Sequence, residues 1–294
     1  MKPRPLRAAP VLAVLGLLAT QSSVSAKTKA PQLLWLREEP TGVVFLTAAR
    51  IHYGSTRADV YEAAQLCLRE PLRDACGPSD FANEIPARLV DVAGFYLDKT
   101  EVTVAAFAQC VRAGACDSVT DPALLSGPSA ASLPVAYLDW FQARQYCRFR
   151  GGRLPTEREF ERAARGPNAK VFPWGNWYND QAANHGRGGV EESDATDGYF
   201  RRAPVGSFPA GATDEGIVDL AGNVAEWVTG ENVDPSPGSS SGRLSPSARI
   251  TRGGGWRSPA AWLRSAARLV LPASTRRGDV GVRCAYDFAP PKAW

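Results

Sequence analysis

The sequence feature that most constrains the fold is a set of three motifs, each of which makes the backbone turn or start a helix at a fixed place. Residues 152–161 contain the Thr-x-x-Glu pattern of a helix capping box. Residues 219–227 contain Gly222-Asn223, a pair that permits a tight turn. Residues 252–256 begin with an arginine followed by three glycines. Long aperiodic stretches separate the motifs, so the pattern predicts structured loops held at defined points.

Short regular elements are predicted around these motifs. Apolar and aromatic runs bounded by turn residues favour strands, and polar N-cap residues followed by an apolar stripe favour helices. The predicted strands are residues 42–47, 93–98 and 249–256, and the predicted helices are residues 104–113, a helix capped by Asp139 that runs to about residue 148, and a helix capped by Thr156.

Two polar stretches are interpreted as loops. Residues 63–87 are predicted to be loop-like and held by one disulfide, and the Ser/Pro/Gly-rich residues 234–247 form a surface loop. Because no repeat or linker divides the chain, we expect one α+β domain over residues 42–287, with a C-terminal tail at residues 288–294.

The first 26 residues have the pattern of a secretory signal peptide. Three basic residues precede an apolar run at 8–19, and small residues follow at 24–26. We therefore expect an exposed leader at 27–41 and a periplasmic or secreted protein that does not span the membrane after cleavage. Without the signal the chain has 31 basic and 30 acidic side chains, and no basic stripe points to nucleic acid.

Six cysteines remain, an even number that favours three disulfides in an oxidising compartment. Local spacing suggests one pair between Cys67 and Cys76 and another between Cys110 and Cys116, which leaves Cys147 with Cys284. Spacing alone is a weak guide, since six cysteines allow fifteen connectivities.

Taken together and in this order, the motifs resemble the formylglycine-generating enzyme (sulfatase-modifying factor) family. The resemblance rests on the three motifs above, on Gly281-Val-Arg-Cys284, and on further segments at residues 95–103, 172–175 and 203–206. It implies a C-type-lectin-like α+β fold with long structured loops and little regular secondary structure. It also supports the long Cys147–Cys284 bridge. The stretch 48–54 departs from the family's usual Gly-rich start.

The resemblance implies two calcium sites. Calcium prefers hard oxygen ligands from carboxylates and carbonyls. The first site would use Asp219 and Glu226, with the carbonyls of Gly222 and Val224 between them. The second would use Asn184, Asp197 and the carbonyls of His185 and Tyr199.

The family's oxidase uses two thiolates to hold copper(I), and these are absent here. Ser258 falls near the first thiol position, and Ala261 or Trp262 near the second. Soft thiolates suit copper(I) and a serine hydroxyl does not, so copper is not expected.

We therefore favour a calcium-stabilised module of the cell envelope that binds a peptide, protein or glycan in a groove beside Trp256, Arg257, Ser258 and Trp262. The alternative is an enzyme: a formylglycine-generating oxidase, or another oxidoreductase on the same scaffold.

Overall fold

A computed structural model describes residues 42–69, 76–186, 195–230 and 245–290. Short strands form three small sheets in this part of the chain. The sheets have the orders β1-β4-β9, β2-β3 and β7-β6-β5-β8, and all pairings are antiparallel except β5 with β8. The strands are β1 (Val43–Leu46), β2 (Ala49–Tyr53), β3 (Arg88–Val92), β4 (Phe95–Asp98), β5 (Ala225–Val228), β6 (Ala248–Arg252), β7 (Arg268–Pro272), β8 (Val280–Gly281) and β9 (Ala285–Tyr286).

Side-chain caps define where the helices begin. Thr56, Thr103, Asp139 and Thr156 each accept a hydrogen bond from a backbone N–H in the first turn, which satisfies an otherwise unpaired donor. The helices are α1 (Arg57–Cys67), α2 (Val104–Arg112), α3 (Trp140–Phe149) and α4 (Glu157–Arg165), with short 3₁₀ helices that include Pro78–Glu84 and Ala260–Leu263.

Two large apolar clusters surround these elements. In the first, α2 and α3 pack Phe107 and Tyr146 against Trp227 of β5. In the second, Phe160 of α4 packs under Ile51 and the strands of the small sheets. The structure thus mixes helices and sheets, as the α+β prediction states, and the predicted β1, β4, α2, α3 and α4 are confirmed within about two residues.

The prediction that residues 63–87 form a loop is wrong in two places. Residues 63–67 complete α1, and Pro78–Glu84 is a 3₁₀ helix. The buried face of α1 consists of Val60, Ala63, Ala64 and Cys67, whose spacing is helical. Because most of these side chains are small, the apolar periodicity that predicts a helix is weak in this part of the sequence.

The three disulfides join Cys67 to Cys76, Cys110 to Cys116, and Cys147 to Cys284. The two short pairs are those that the cysteine spacing suggested, and the long pair is the one that remained and that the family resemblance supported. The predicted signal peptide, the leader at 27–41 and most of the loop at 234–247 lie outside the described residues. Within the described ranges, no helix combines the length and apolar character needed to cross a membrane.

Asp98 at the end of β4 gives the fold a measurable pH dependence. Its carboxylate accepts hydrogen bonds from the Cys284 N–H at 2.9 Å and the Tyr286 hydroxyl at 3.0 Å. Desolvation nevertheless raises the pKa of Asp98 from 3.8 to about 6. Because the folded state then binds the proton more tightly than the unfolded state, this group stabilises the fold increasingly as pH falls from 6 towards 4.

We expect Asp98→Asn to remove that contribution, because the amide can still accept from Cys284 and can donate to Tyr286. The difference in free energy of unfolding between variant and parent should change by about 2 kcal/mol between pH 4 and pH 7. Urea unfolding at four pH values would measure it. Parallel pH profiles for the two proteins would contradict the assignment.

Candidate functional site

The chain leaves β6 through glycines that no other residue can replace without strain. Gly253 and Gly254 have φ values of +86° and +66°, which favour glycine. A Cβ on Gly255 would lie 2.6 Å from the carbonyl oxygen of Asp279. The turn therefore brings the segment after β6 directly against the segment that leads into β8.

Ser258 holds this turn closed. Its Oγ accepts the Gly255 N–H at 2.9 Å, and its own N–H donates to the Gly255 carbonyl at 2.8 Å. Trp256 is anchored at the same time, because its N–H donates to the Asn223 carbonyl and its indole N–H donates to the Gly278 carbonyl. The Ser258 hydroxyl thus has a structural role in the turn.

A cavity of about 390 Å³ opens beside this turn. Its walls are mostly apolar, formed by Trp262, Pro259, Leu269 and Val280 together with small residues of β5 and β6. Pockets of this kind, apolar with a few polar groups, are where proteins usually bind small ligands or peptide side chains. The polar and sulfur-bearing residues that line it are Thr251, Arg257, Ser258, Arg268, Arg277, Asp279 and the disulfide-bonded Cys67 and Cys76.

Positive charge exceeds negative charge around the cavity. Arg277 forms a close ion pair with Asp279, and the Arg257 Nε lies 3.8 Å from the same carboxylate. This Nε is buried and has no hydrogen-bond acceptor among the described residues. Arg268 is paired with Glu157. The charged groups that line the cavity are thus three guanidinium groups and one carboxylate, that of Asp279, and the cavity favours a ligand that carries an anionic group.

Of the four predicted groove residues, Arg257, Ser258 and Trp262 line the cavity. Trp256 lies behind them, 7% exposed, with Arg257 stacked 5.2 Å from its ring centroid. Sequence reasoning missed Arg277 and Asp279, which reach the cavity from the segment before β8. It also missed that Cys67 and Cys76 form part of the wall, because that pair was interpreted only as a staple.

In the second predicted calcium set, Asp197 contacts the backbone of His185 and of Tyr199. Both oxygens of Asp197 accept backbone N–H groups, Oδ2 from His185 at 3.0 Å and Oδ1 from Tyr199 at 2.9 Å. The Oδ1 of Asn184 is buried and has no hydrogen-bond donor among the described residues. A buried oxygen without a hydrogen-bond donor is costly unless another group, such as a cation, satisfies it. These residues fit a hard cation such as calcium.

The first predicted set has a different electrostatic environment. Glu226 is fully buried, and both of its oxygens accept hydrogen bonds from the Arg283 Nε, at 2.8 and 2.7 Å. The Oδ2 of Asp219 accepts the Gly206 N–H at 2.6 Å. Burial raises the pKa of Asp219, and raises that of Glu226 to about 6. Of the two predicted carboxylates, Glu226 is thus already paired with a guanidinium.

The loop of the first set has an unusual backbone that could present carbonyl oxygens. Asp219 and Asn223 have positive φ values of 58° and 56°, and Gly222 has a φ of +83°. Non-glycine residues in this conformation are uncommon and concentrate at functional sites. Within the described ranges, no cluster of three or more His, Cys, Asp or Glu side chains could hold a metal, so both sets depend on carbonyl and amide oxygens.

Copper(I) does not fit the residues around the cavity in their present state. All six cysteines of the chain are disulfide-bonded, and Ser258 stands near the position where the oxidases have a thiol. A hydroxyl that already accepts a backbone hydrogen bond is a poor ligand for this soft ion.

The sequence and the structure of this chain are similar to those of known proteins. The sequence profile described as "Sulfatase-modifying factor enzyme 1-like domain" matches residues 40–288. The inactive C-alpha-formylglycine-generating enzyme 2 of Bos taurus is 44% identical over 100 residues, which is 33% of each chain. The formylglycine-generating enzyme of Mus musculus is 29% identical over 266 residues, which covers 70% of each chain. The present chain thus spans about a third of the length of the inactive relative.

Among solved structures, PvdO from Pseudomonas aeruginosa matches with a TM-score of 0.57 and 24% identity, over 83% of this chain and 93% of PvdO. At this identity the likeness shows the fold alone. The fold is of the C-type-lectin-like kind that the motifs implied, with helices and small sheets linked by long structured loops.

Proposed function

The chain belongs to the family of proteins with a sulfatase-modifying factor enzyme 1-like domain, and from that premise we propose that it is an exported binding module of the cell envelope without copper oxidase activity. The observation that carries this proposal is the cavity beside Ser258. It keeps an apolar interior and an excess of guanidinium groups, while every cysteine of the chain is bonded. A relative whose name describes it as inactive gives independent support.

The ligand that suits this cavity is a peptide segment with an apolar side chain and a neighbouring carboxylate. Trp262 and Leu269 offer apolar walls, and the partly buried guanidinium group of Arg257 lines the same cavity. Arginine in partly buried positions forms strong charge-assisted hydrogen bonds with carboxylates. Periplasmic or extracellular location is proposed from the signal-like first 26 residues and from the three disulfides.

Binding can be tested with two fluorescent hexapeptides, Leu-Ala-Leu-Pro-Glu-Glu and Leu-Ala-Leu-Pro-Gln-Gln. We expect the Glu peptide to bind more tightly, and Arg257→Gln to weaken its binding by about 10- to 150-fold, because one hydrogen bond to a charged group is worth about 1.5 to 3 kcal/mol. Trp262→Ala should weaken both peptides. Fluorescence anisotropy gives the dissociation constants.

The matched control for charge is Arg112→Gln, since Arg112 is exposed at the end of α2, away from the cavity. Equal binding of the Glu and Gln peptides, or an equal effect of the two arginine variants, would contradict the anionic-ligand proposal.

A glycan is the second candidate ligand, because Trp177 is 87% exposed at another cavity of about 330 Å³. That cavity also has Asn176, Asp59 and Glu62 in its lining, and polar groups beside an exposed aromatic ring suit a sugar. The same anisotropy assay can measure the dissociation constants of labelled oligosaccharides for the parent and for Trp177→Ala. Weaker oligosaccharide binding in the variant, with unchanged peptide binding, would indicate a separate glycan site.

The oxidase alternative has its own test. Copper(I), oxygen and a Cys-x-Pro-x-Arg peptide would be incubated with the protein, with and without a thiol reductant, and the peptide followed by mass spectrometry. Conversion of the peptide cysteine to formylglycine would overturn the proposal. If conversion required reductant and was lost in Cys67→Ala, the thiols would come from the cavity disulfide.

Calcium is proposed as a structural ion. At the second set, Asn184 and Asp197, with the carbonyls of His185 and Tyr199, would hold it. When bound, the ion supplies a positive charge that ties residues 184–185 to residues 197–199. This role is electrostatic and needs no reaction step.

We expect calcium to raise the melting temperature of protein stripped with EDTA, because an ion that binds only the folded state stabilises it by about 2.7 kcal/mol at 100 times its dissociation constant. Asp197→Asn should abolish most of the rise. Asp214→Asn, which changes an exposed carboxylate, is the control.

Isothermal titration distinguishes the two predicted sets by stoichiometry. One ion per chain that is lost in Asp197→Asn indicates the second set alone, and two ions indicate both. No calcium binding at millimolar concentration would contradict the proposal.

A further inference from the structure

The Cys67–Cys76 disulfide differs from the other two in its surroundings. Cys67 is the last residue of α1, and Cys76 lies just before the 3₁₀ helix Pro78–Glu84. Both line the 390 Å³ cavity, on whose wall Arg257, Ser258 and Trp262 also lie. The disulfide is thus a wall of the cavity in which we place the ligand.

The other two disulfides lie in the main apolar core. Cys110, Cys147 and Cys284 are fully buried, and Cys116 is 6% exposed. None of these four cysteines lines the 390 Å³ cavity or the 330 Å³ cavity. Cys76 is the single cysteine of the six that is only partly buried, and it lines the cavity.

The arginine side chains of the cavity supply positive charge, which favours the thiolate form of a thiol. Thiolates are the reactive form of thiols, and nearby guanidinium groups favour them over the neutral form. Arg257, Arg268 and Arg277 line the same cavity as the disulfide, against the carboxylates of Asp279 and Glu157. A cysteine side chain that entered the cavity would therefore be drawn towards its thiolate form.

We propose that Cys67–Cys76 is a thiol–disulfide exchange centre that captures a peptide carrying a cysteine. This inference rests on the proposed ligand-binding role of the cavity. The peptide thiolate attacks the Sγ of Cys76, a new S–S bond forms between them, and the Cys67–Cys76 bond breaks. The electron pair of that bond leaves with the Cys67 Sγ, which takes up a proton.

Reversal follows from the position of Cys67. It is 5% exposed and packs with Ala63, Ala64 and Ala261, and its Sγ stays beside the new mixed disulfide. The Cys67 thiol can then attack the Cys76 Sγ as a thiolate, which reforms the internal disulfide and releases the peptide thiol. Exchange captures the ligand for a limited time and consumes no external oxidant.

The test uses the full chain and a reduced octapeptide with one cysteine beside two Glu. After timed acid quenching and alkylation, mass spectrometry measures the peptide adduct at each cysteine. We expect the adduct on Cys76 to form at least tenfold faster than any adduct at Cys110–Cys116, the short-range disulfide that serves as the internal control. Cys67→Ser leaves Cys76 as a free thiol, so it should form no adduct with the reduced peptide. When the peptide is supplied as its mixed disulfide with glutathione, the Cys76 thiolate of this variant should displace glutathione and accumulate the peptide adduct, because no resolving thiol is present.

Two further arms separate this inference from the binding proposal. Glutathione tests the disulfide without the peptide, and a thiol-free Glu peptide tests binding without exchange. Adduct formation that slows at least fivefold in Trp262→Ala supports capture within the cavity. Adduct rates at Cys76 no greater than at Cys110–Cys116, with either thiol, would overturn exchange while leaving the thiol-free binding result to decide the proposed function.

Discussion

Replacing Arg283 by methionine is expected to lower the free energy of unfolding by about 3 to 5 kcal/mol, because it leaves a buried carboxylate without its partner. Arg283 is fully buried, and its guanidinium bonds both oxygens of Glu226. It also donates to the carbonyls of Val218 and Asp219, and to that of Asp98 at the end of β4. One side chain thus joins β4, β5 and the loop before β5.

Urea unfolding at pH 7 in EDTA would measure this loss without a contribution from calcium. The double variant Arg283→Met with Glu226→Gln should regain part of it, since the uncompensated charge is then removed. Arg50→Met is the matched control, because its ion pair with Asp91 is exposed on both sides, and we expect no measurable change there. Equal losses in the single and double variants would mean that Arg283 acts through packing and not through its charge.

Local sequence signals account for the elements that were predicted correctly. The capping boxes at Asp139 and Thr156 fix where α3 and α4 begin, because each cap bonds a backbone N–H three residues ahead. The same kind of signal existed at Thr56, where Asp59 completes a capping box for α1. It was missed because the face of α1 that follows is built mainly from alanine and cysteine.

The candidate site was predictable only in part, for a tertiary reason. Arg257, Ser258 and Trp262 lie in one short segment, so a motif can point to them. Cys67 and Cys76 reach the same cavity because α1 packs against the 3₁₀ helix Ala260–Leu263, nearly 200 residues later in the chain. Asp279 arrives through β8, which pairs in parallel with β5. No spacing in the sequence encodes these contacts.

The largest disulfide effect is expected at Cys147–Cys284, whose cysteines are 137 residues apart. In the chain-entropy description, a crosslink stabilises the fold by restricting the unfolded chain, and a longer loop gives a larger effect. We expect Cys147→Ala with Cys284→Ala to lower the free energy of unfolding by about 5 kcal/mol. The bridge also ties α3 to the segment that carries Arg283 and β9, so its loss should loosen both.

Cys110→Ala with Cys116→Ala is the control that isolates the loop length. This bridge spans only 6 residues, and its cysteines are buried in the same apolar cluster as Cys147 and Cys284. The packing lost is therefore similar, and removal of the short bridge should cost about 2 kcal/mol. Urea unfolding of both double variants at one pH gives the difference, expected to be about 3 kcal/mol. Equal losses would mean that local packing around the sulfurs, and not the restriction of the unfolded chain, determines what these bridges contribute.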